Sequence, residues 1–201
     1  MVDSKVESDA AVIEASLSRP AAFGAVFERH WDAIFRFFER RLGPDPSADL
    51  ASEVFVIAFE RRTRFEGVDT ASCLPWLYGI AANLVMKERR RFARHLAAID
   101  RLVLQETDEQ GDHASTVAMA VDSQKTWSML RDVLVTLDDT SREMLLLLAW
   151  EDLSYQHIAN AFDVPVGTVR SRLHRARVKL RRSLLSTHRD GNADTSEGTS
   201  Q

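Results

Sequence analysis

The segment from Leu153 to Arg182 constrains the fold most tightly, because its pattern predicts two helices joined by a short turn. On the first helix, apolar residues recur at the helical period, at Ile158, Ala159 and Phe162. The turn (DVP, 163–165) ends this helix, since the residue before a proline avoids the helical region, and the proline itself suits the first turn of a second helix. The second helix carries an apolar stripe that packs on the first, formed by Val169, Leu173, Ala176 and Leu180.

The same second helix is strongly basic. Residues 165–182 contain seven Lys or Arg and no Asp or Glu, in a chain whose net charge is −4. A solvated helix face normally mixes both signs, so this segregation indicates a polyanionic ligand. A basic helix held by a short turn against a smaller helix is typical of a helix-turn-helix, whose second helix enters the major groove of DNA. Arg can read guanine edges there, while Lys, Ser and Thr contact phosphates.

The composition predicts a nearly all-helical protein, with 8 Gly and 5 Pro in 201 residues. One cysteine, Cys73, excludes an internal disulfide and argues against a cysteine-based zinc site, so no metal and no cofactor is expected. No apolar run is as long as a membrane span, and residues 1–19 lack a signal-peptide pattern, so we expect a cytoplasmic protein without membrane insertion. No nucleophile–base pair or glycine-rich phosphate loop is present, which disfavours an enzyme.

Changes in periodicity and charge divide the chain into five segments. Residues 1–18 are small and polar and predict a flexible N-terminus, with a short helix around 10–17. Apolar and aromatic residues then recur at helical spacing over 19–96, which predicts a first helical domain. The acidic stretch 97–123 predicts a flexible linker. A second helical domain containing the helix-turn-helix is predicted at 124–185, and a disordered tail at 186–201.

The end of the first domain is a second candidate for binding nucleic acid. A helix that begins near residue 74 runs from apolar residues into 87–94, which holds five basic groups against one acid. One interpretation is a core helix with a soluble end. The other is a strand-binding surface, where aromatic rings stack on bases and cations follow the phosphates. The residues before this helix, FEGVDTASC at 65–73, are typical of a loop.

Both halves of the chain resemble bacterial extracytoplasmic-function sigma factors, a group of RNA polymerase sigma subunits. LSYQHIANAFDVPVGTVRSRLHRARVKL at 153–180 is similar to the family's region 4.2, and FGAVFERHWDAIFRFF at 23–38 to region 2.1. ADLASEVFVIAFERR at 48–62 is similar to region 2.2, and PWLYGIAANLVMKERRR at 75–91 to regions 2.3 and 2.4. The resemblance covers residues 21–185 and implies an all-α protein of two small helical domains, which binds core RNA polymerase and initiates transcription at promoters.

The resemblance also implies roles for individual residues. In the family, the recognition helix reads the −35 element; the matching residues here are Thr168, Arg170, Ser171, Arg172, His174, Arg175 and Lys179. A loop captures a flipped base of the −10 element, with a basic helix behind it; the matching residues are Phe65, Glu66, Gly67, Val68, Asp69, Thr70, Asn83, Lys87, Arg90 and Arg91. Docking on core polymerase would fall to Asp49, Leu50, Glu53 and Phe59. An anti-sigma factor is expected from the family, and nothing in the sequence identifies it.

The chain departs from the family's pattern at two places. The family commonly has Gln before the Glu of region 2.2, where this chain has Ser52. The loop at 65–73 spells no familiar base-capture sequence, so promoter specificity does not transfer.

Two other interpretations compete with a sigma factor. A stand-alone helix-turn-helix regulator, with 20–95 as a dimerisation or sensor domain, would bind duplex DNA by itself, usually as a dimer on a palindrome. A sigma factor instead needs core polymerase and a bipartite site. A polymerase-binding decoy would keep 49–59 but would have no need of seven cations after Pro165.

Overall fold

Every secondary-structure element in the described part of the chain is a helix. The computed structural model describes residues 7–65, 72–106, 134 and 136–193. Two 3₁₀ turns, Pro20–Phe23 and Arg62–Arg64, accompany the α-helices. The α-helices are α1 (Asp9–Ser18), α2 (Gly24–Leu42), α3 (Ser47–Arg61), α4 (Leu74–Glu106), α5 (Asp139–Trp150), α6 (Tyr155–Phe162) and α7 (Val166–Ala193). The all-helical prediction is confirmed for these residues.

The short helix predicted around residues 10–17 is present as α1, Asp9–Ser18, and it packs on the first domain, although the sequence predicts a flexible N-terminus for 1–18. The Ser8 hydroxyl caps α1 by accepting a hydrogen bond from the Ala11 N–H at 3.3 Å. Val12 and Ile13 are buried against the first domain. Because these two apolar residues are adjacent and the other buried residues of α1 are polar, the sequence shows no clear helical stripe.

The first domain is built from α2, α3 and α4 around an aromatic-rich core. α2 ends at Gly43, whose φ of 84° lies in a region that side chains rarely adopt. The Gly43 N–H donates to the Glu39 carbonyl at 3.1 Å, which closes the last turn and lets the chain return as α3. The fully buried side chains at the centre are Ile34, Phe37, Phe38, Val54 and Leu77.

The second domain packs α5, α6 and α7 together. Asp138 caps α5 by accepting from the Ser141 N–H at 2.9 Å, and Ser154 caps α6 by accepting from the His157 N–H at 3.1 Å. The core between the helices contains Met144, Leu147, Ile158, Val169 and Leu173, all of them fully buried. The apolar stripe predicted on the second helix therefore does face the first.

Two helices are longer than the sequence predicts. α4 continues to Glu106, so residues 97–106 are helical where an acidic linker is predicted; they contain no Gly or Pro to stop the helix. α7 continues to Ala193, into the segment predicted as a disordered tail, because propagating an existing helix needs no new nucleus. The remaining linker and the start of the predicted second domain, 107–133, lie outside the described residues.

The two domains pack on each other, which the sequence does not predict. Gly79 on α4 meets Ala161 on α6 so closely that a Cβ added at Gly79 would lie 2.8 Å from the Cβ of Ala161. The buried apolar side chains of both domains form one continuous core.

A group of charged side chains, here the inter-domain cluster (Arg40, Arg41, Arg89, Glu143 and Glu151), also crosses this contact. The Glu143 carboxylate accepts hydrogen bonds from Arg41, at 3.1 Å, and from Arg89. Glu151 accepts from Arg40 at 2.9 Å and from Arg41 at 3.1 Å.

Candidate nucleic-acid interface

The helix-turn-helix geometry is set at Asp163, which adopts the left-handed conformation with φ 51° and ψ 51°. This residue ends α6, and the Val164 N–H donates back to the Ala159 carbonyl at 3.0 Å. α7 then begins with the Thr168 N–H donating to the Pro165 carbonyl at 2.8 Å. The short turn therefore fixes the angle between the two helices and presents one side of α7 to solvent.

The residues predicted to read the −35 element share the solvent side of α7. Its opposite side is the buried stripe that packs on α5 and α6. Of the predicted set, Arg170, Ser171, His174, Arg175 and Lys179 are exposed, and Thr168 and Arg172 are half-buried. Cations and hydroxyls thus line one accessible helix face, as major-groove recognition requires.

Two cations of this face are already engaged within the second domain. Arg172 lies 3.5 Å from the carboxylate of Asp138, and Lys179 donates to the backbone carbonyl of Thr136. Burial alone would raise the pKa of Asp138, but hydrogen bonds from Ser141 and the charge of Arg172 outweigh it and lower that pKa. The carboxylate therefore stays ionised and competes with phosphate for Arg172.

The residues predicted for the −10 element are only partly described. Glu66, Gly67, Val68, Asp69 and Thr70 lie outside the described residues. Phe65 is half-buried, with its ring 5.0 Å from that of Trp76.

The α4 members of this set form one exposed surface. Asn83, Lys87, Arg90 and Arg91 are all solvent-accessible, and the Asn83 side chain donates to the Gly79 carbonyl at 2.9 Å. Beside them, Phe92 leaves 63% of its surface exposed, an aromatic ring in a basic environment that the sequence-based assignment of site residues omits. The position of Phe92 inside the basic run 87–94 is the sequence feature that could have identified it as a site residue.

The residues predicted to dock on polymerase divide between core and surface. Asp49 is exposed and Glu53 half-exposed on α3, whereas Leu50 is buried in the domain core. Phe59 packs its ring 5.5 Å from that of Phe23. Val56, which sequence reasoning missed, has 57% of its surface exposed and lies one helical turn from Glu53. We name Asp49, Glu53 and Val56 the α3 face.

A buried polar cluster ties α1 to the start of α4. The Asp9 carboxylate accepts from the Cys73 N–H at 2.8 Å and from Arg29 at 3.0 Å, and lies 2.7 Å from His30 Nε2. Ligand-type atoms of Asp9, His30 and Cys73 come within 4.8 Å of one another. Arg29 already neutralises the carboxylate and the Cys73 N–H is capped by it, so hydrogen bonding accounts for this arrangement.

Asp9 is expected to contribute stability that is lost in acid. Burial alone would raise its pKa, but hydrogen bonds from Cys73, His30 and Arg29 outweigh burial and lower the pKa from 3.8 to about 2. A lowered pKa in the folded state stabilises the fold above pH 4 and loses that effect as the pH falls toward 2. Asp9→Asn should therefore cost about 2 kcal/mol at neutral pH and much less in acid.

Urea unfolding of both proteins at pH 7 and near pH 2.5 measures this difference. Asp45→Asn, at an exposed position, is the matched control and should be neutral at both pH values. If the free energy of unfolding differed between wild type and Asp9→Asn by the same amount at both pH values, that result would contradict a lowered pKa of Asp9.

Comparisons with a family model and with similar sequences point to the same family. The family model described as "Sigma-70, region 4" matches residues 128–180. The chain is 34% identical over 146 residues to the RNA polymerase sigma-H factor of Pseudomonas aeruginosa, which covers 68% of this chain and 72% of that protein. It is 30% identical over 170 residues to the ECF RNA polymerase sigma factor SigW of Bacillus subtilis, covering 81% of this chain and 89% of SigW.

Two solved structures have similar folds. CnrH in complex with the cytosolic domain of CnrY matches with a TM-score of 0.58 at 21% identity, over 90% of this chain and 99% of that one. The sigma factor RpoE of Bartonella quintana, in complex with the anti-sigma factor NepR, matches with a TM-score of 0.54 at 22% identity, over 82% of this chain and 97% of that one. Among the helices described here, none combines the length and apolar character needed to cross a bilayer.

Proposed function

Because this chain belongs to the extracytoplasmic-function group of bacterial RNA polymerase sigma factors, we propose that it binds core RNA polymerase and directs it to promoters by reading a −35 and a −10 element. The observation that carries this proposal is the presence of two exposed basic helix surfaces on two different domains. One lies on α4 around 83–91 and the other on α7 around 170–179. A bipartite DNA site needs such a pair of surfaces.

The α7 surface suits the duplex −35 element. Arg170 and Arg175 are exposed on α7, and an arginine can donate two hydrogen bonds to one guanine edge in the major groove. Ser171 and Lys179 are suited to phosphates, which position the helix without reading sequence. The Asp138–Arg172 pair opens when a phosphate or base takes the place of the carboxylate.

The α4 surface suits the −10 element, where one strand must be held away from its partner. Lys87, Arg90 and Arg91 supply cations along the helix, and the exposed ring of Phe92 can stack on an unpaired base. Base stacking on an aromatic ring stabilises a single strand by about 1–3 kcal/mol per base. Such a surface favours a melted −10 strand over a duplex.

The α3 face suits docking on the polymerase. An exposed Val56 flanked by the carboxylates of Asp49 and Glu53 combines an apolar anchor with negative charge, which fits a partner surface with an apolar patch and basic rim. The protein would act in the cytoplasm, where polymerase and promoter DNA are found. Because RpoE and CnrH are solved in complexes, RpoE with an anti-sigma factor, we propose that an anti-sigma factor also controls this protein.

Run-off transcription with purified core polymerase, with and without the protein, on a library of promoter fragments tests the proposal. We expect initiation at a discrete set of sites that requires the protein, since core polymerase alone lacks promoter recognition. Binding of the protein to duplex DNA as a dimer, without any support of initiation, would favour the stand-alone regulator instead. Binding to core polymerase with inhibition of initiation would favour the decoy.

A further inference from the structure

The arginines of the α7 face differ in whether a carboxylate already holds them. Arg172 lies 3.5 Å from the carboxylate of Asp138, the residue directly before α5. Arg170 and Arg175 are exposed on the same helix, and within the part of the chain that the structure describes neither forms an ion pair. When DNA approaches α7, Arg172 therefore has a partner to give up, whereas Arg170 and Arg175 do not.

Asp138 is fixed in position by its role in the fold. Its carboxylate accepts a hydrogen bond from the Ser141 N–H at 2.9 Å and so caps α5. Asp138 and Arg172 line one open pocket of about 240 Å³, together with Arg175 and Lys179. One carboxylate thus lies among three cations of the surface that faces DNA. Because the cap anchors Asp138, its carboxylate stays behind when the guanidinium of Arg172 turns toward another anion.

A DNA phosphate and the Asp138 carboxylate are alternative partners for Arg172. A cation that contacts a phosphate releases counterions from the DNA, which is why affinity for DNA depends on salt. To make this contact, Arg172 has to leave Asp138, and the carboxylate then repels the phosphate nearby. The side chains of Arg172 and Asp138 are 37% and 61% exposed, and exposed ion pairs are weak. The pair should therefore reduce the affinity for DNA by only about two- to five-fold.

We propose that Asp138 is an internal competitor of DNA, which limits the affinity of the α7 face by holding Arg172. The proposal rests on the proposed function in one respect, since it takes α7 as the helix that binds DNA. Phosphates are the same in every sequence, so Asp138 lowers the affinity for promoter and non-promoter duplexes alike. Contacts of Arg170 and Arg175 with bases are unaffected, so base recognition contributes a larger part of the binding free energy at the promoter.

Asp138→Asn separates the competitor from the helix cap. Asparagine caps helices about as well as aspartate, so α5 keeps its N-terminus, but the neutral amide no longer holds Arg172 by charge. Asp139→Asn is the matched control, because it removes the same charge one residue away, where Asp139 pairs with Arg142 of α5 at 3.0 Å. Arg172→Gln supplies a background in which the competitor has no guanidinium to hold.

Fluorescence anisotropy of labelled duplex DNA, titrated with the full-length protein between about 50 and 200 mM salt, measures the affinity. We expect Asp138→Asn to bind promoter and random duplexes about two- to five-fold more tightly than wild type. The slope of log affinity against log salt should steepen by up to about 0.9, the value for one additional phosphate contact. Asp139→Asn should bind both duplexes as wild type does.

A double-mutant cycle shows whether the effect passes through Arg172. In the Arg172→Gln background, Asp138→Asn should no longer raise the affinity. An equal rise in both backgrounds, or a similar rise in Asp139→Asn, would overturn the proposal, because the lost charge would then act on DNA without Arg172. Unchanged affinity in Asp138→Asn would overturn it as well, and so would a rise confined to one sequence.

Run-off transcription with core polymerase distinguishes failure of the proposed function from failure of this inference. If the duplex affinities follow the expected pattern but neither wild type nor Asp138→Asn supports initiation, the proposed function is wrong and the competition for Arg172 stands. If wild type initiates while the affinities of the variants do not follow that pattern, the competition is wrong and the proposed function stands.

Discussion

Replacing Arg170 and Arg175 on α7 by glutamate is expected to lower promoter-directed initiation by about 1000-fold. Each good arginine contact with a base is worth about 1–3 kcal/mol, and each reversal also adds repulsion from the phosphates. Both side chains are exposed on the helix that carries the basic face, and the buried stripe beneath them is unchanged. The fold and the binding of core polymerase should therefore survive.

The measurement is run-off transcription at saturating core polymerase, with core binding followed separately by gel filtration. Arg19→Glu with Arg36→Glu is the control, because it changes the net charge equally at exposed positions of the first domain. A variant that still initiates at wild-type levels would show that α7 does not read the promoter. Loss of initiation in the control as well would point to a general charge effect.

Placing a charge on the α3 face is expected to lower the affinity for core polymerase by at least about 100-fold. A residue that acts as a hot spot at the centre of an interface contributes about 2 kcal/mol or more, roughly a thirty-fold change, and a buried unpaired charge adds to the loss. Val56→Asp combined with Asp49→Arg removes the apolar anchor and reverses one flanking charge. Neither side chain belongs to the domain core, so the helical content should be unchanged.

Leu17→Asp combined with Glu14→Arg on α1 is a matched control. Among the described residues of α1 and the first domain, Leu17 is the other strongly exposed aliphatic residue, at 49%, and Glu14 is exposed beside it. Affinity measured with labelled core polymerase should fall for the α3 variant and stay within about two-fold for the α1 variant. An equal loss in both would mean that the polymerase contact is not localised to α3.

Much of the fold follows from periodicity in the sequence. Val169 and Leu173 recur at helical spacing, and both are fully buried beneath the exposed arginines of α7. Local signals also determine the turn at 163–165, because a proline and a left-handed residue end one helix and permit the next. These features depend on neighbouring residues, so a sequence pattern reveals them.

The contacts that the sequence did not reveal join residues far apart in the chain. Arg41 resembles an ordinary cation in the last turn of a helix, and its partner Glu143 lies 102 positions away. Asp9 meets Cys73 across 64 positions. No regular spacing in the sequence identifies such pairs. Each charge needs its partner because folding buries both of them.

The candidate site also combines features that a local sequence pattern reveals with features that it does not. Apart from the half-buried Arg172, the predicted cations of α7 and α4 are exposed, because a charged residue opposite an apolar stripe must face water. On α3 the assignment came from resemblance, and it includes Leu50, which is buried, while it omits Val56, which is exposed. The helical periodicity of α3 distinguishes Val56 from Leu50, since Val56 falls on the helix side that carries Asp49 and Glu53.

The position of Cys73 also decides how the protein responds to oxidants. This is the chain's one cysteine, it is fully buried, and burial together with the neighbouring Asp9 carboxylate raises the pKa of its thiol well above the usual range. Peroxides and disulfides react with the thiolate, so burial and the raised pKa both disfavour reaction of this sulfur. A thiol-based redox signal that alters transcription through this protein is therefore better received by another molecule and passed on by binding.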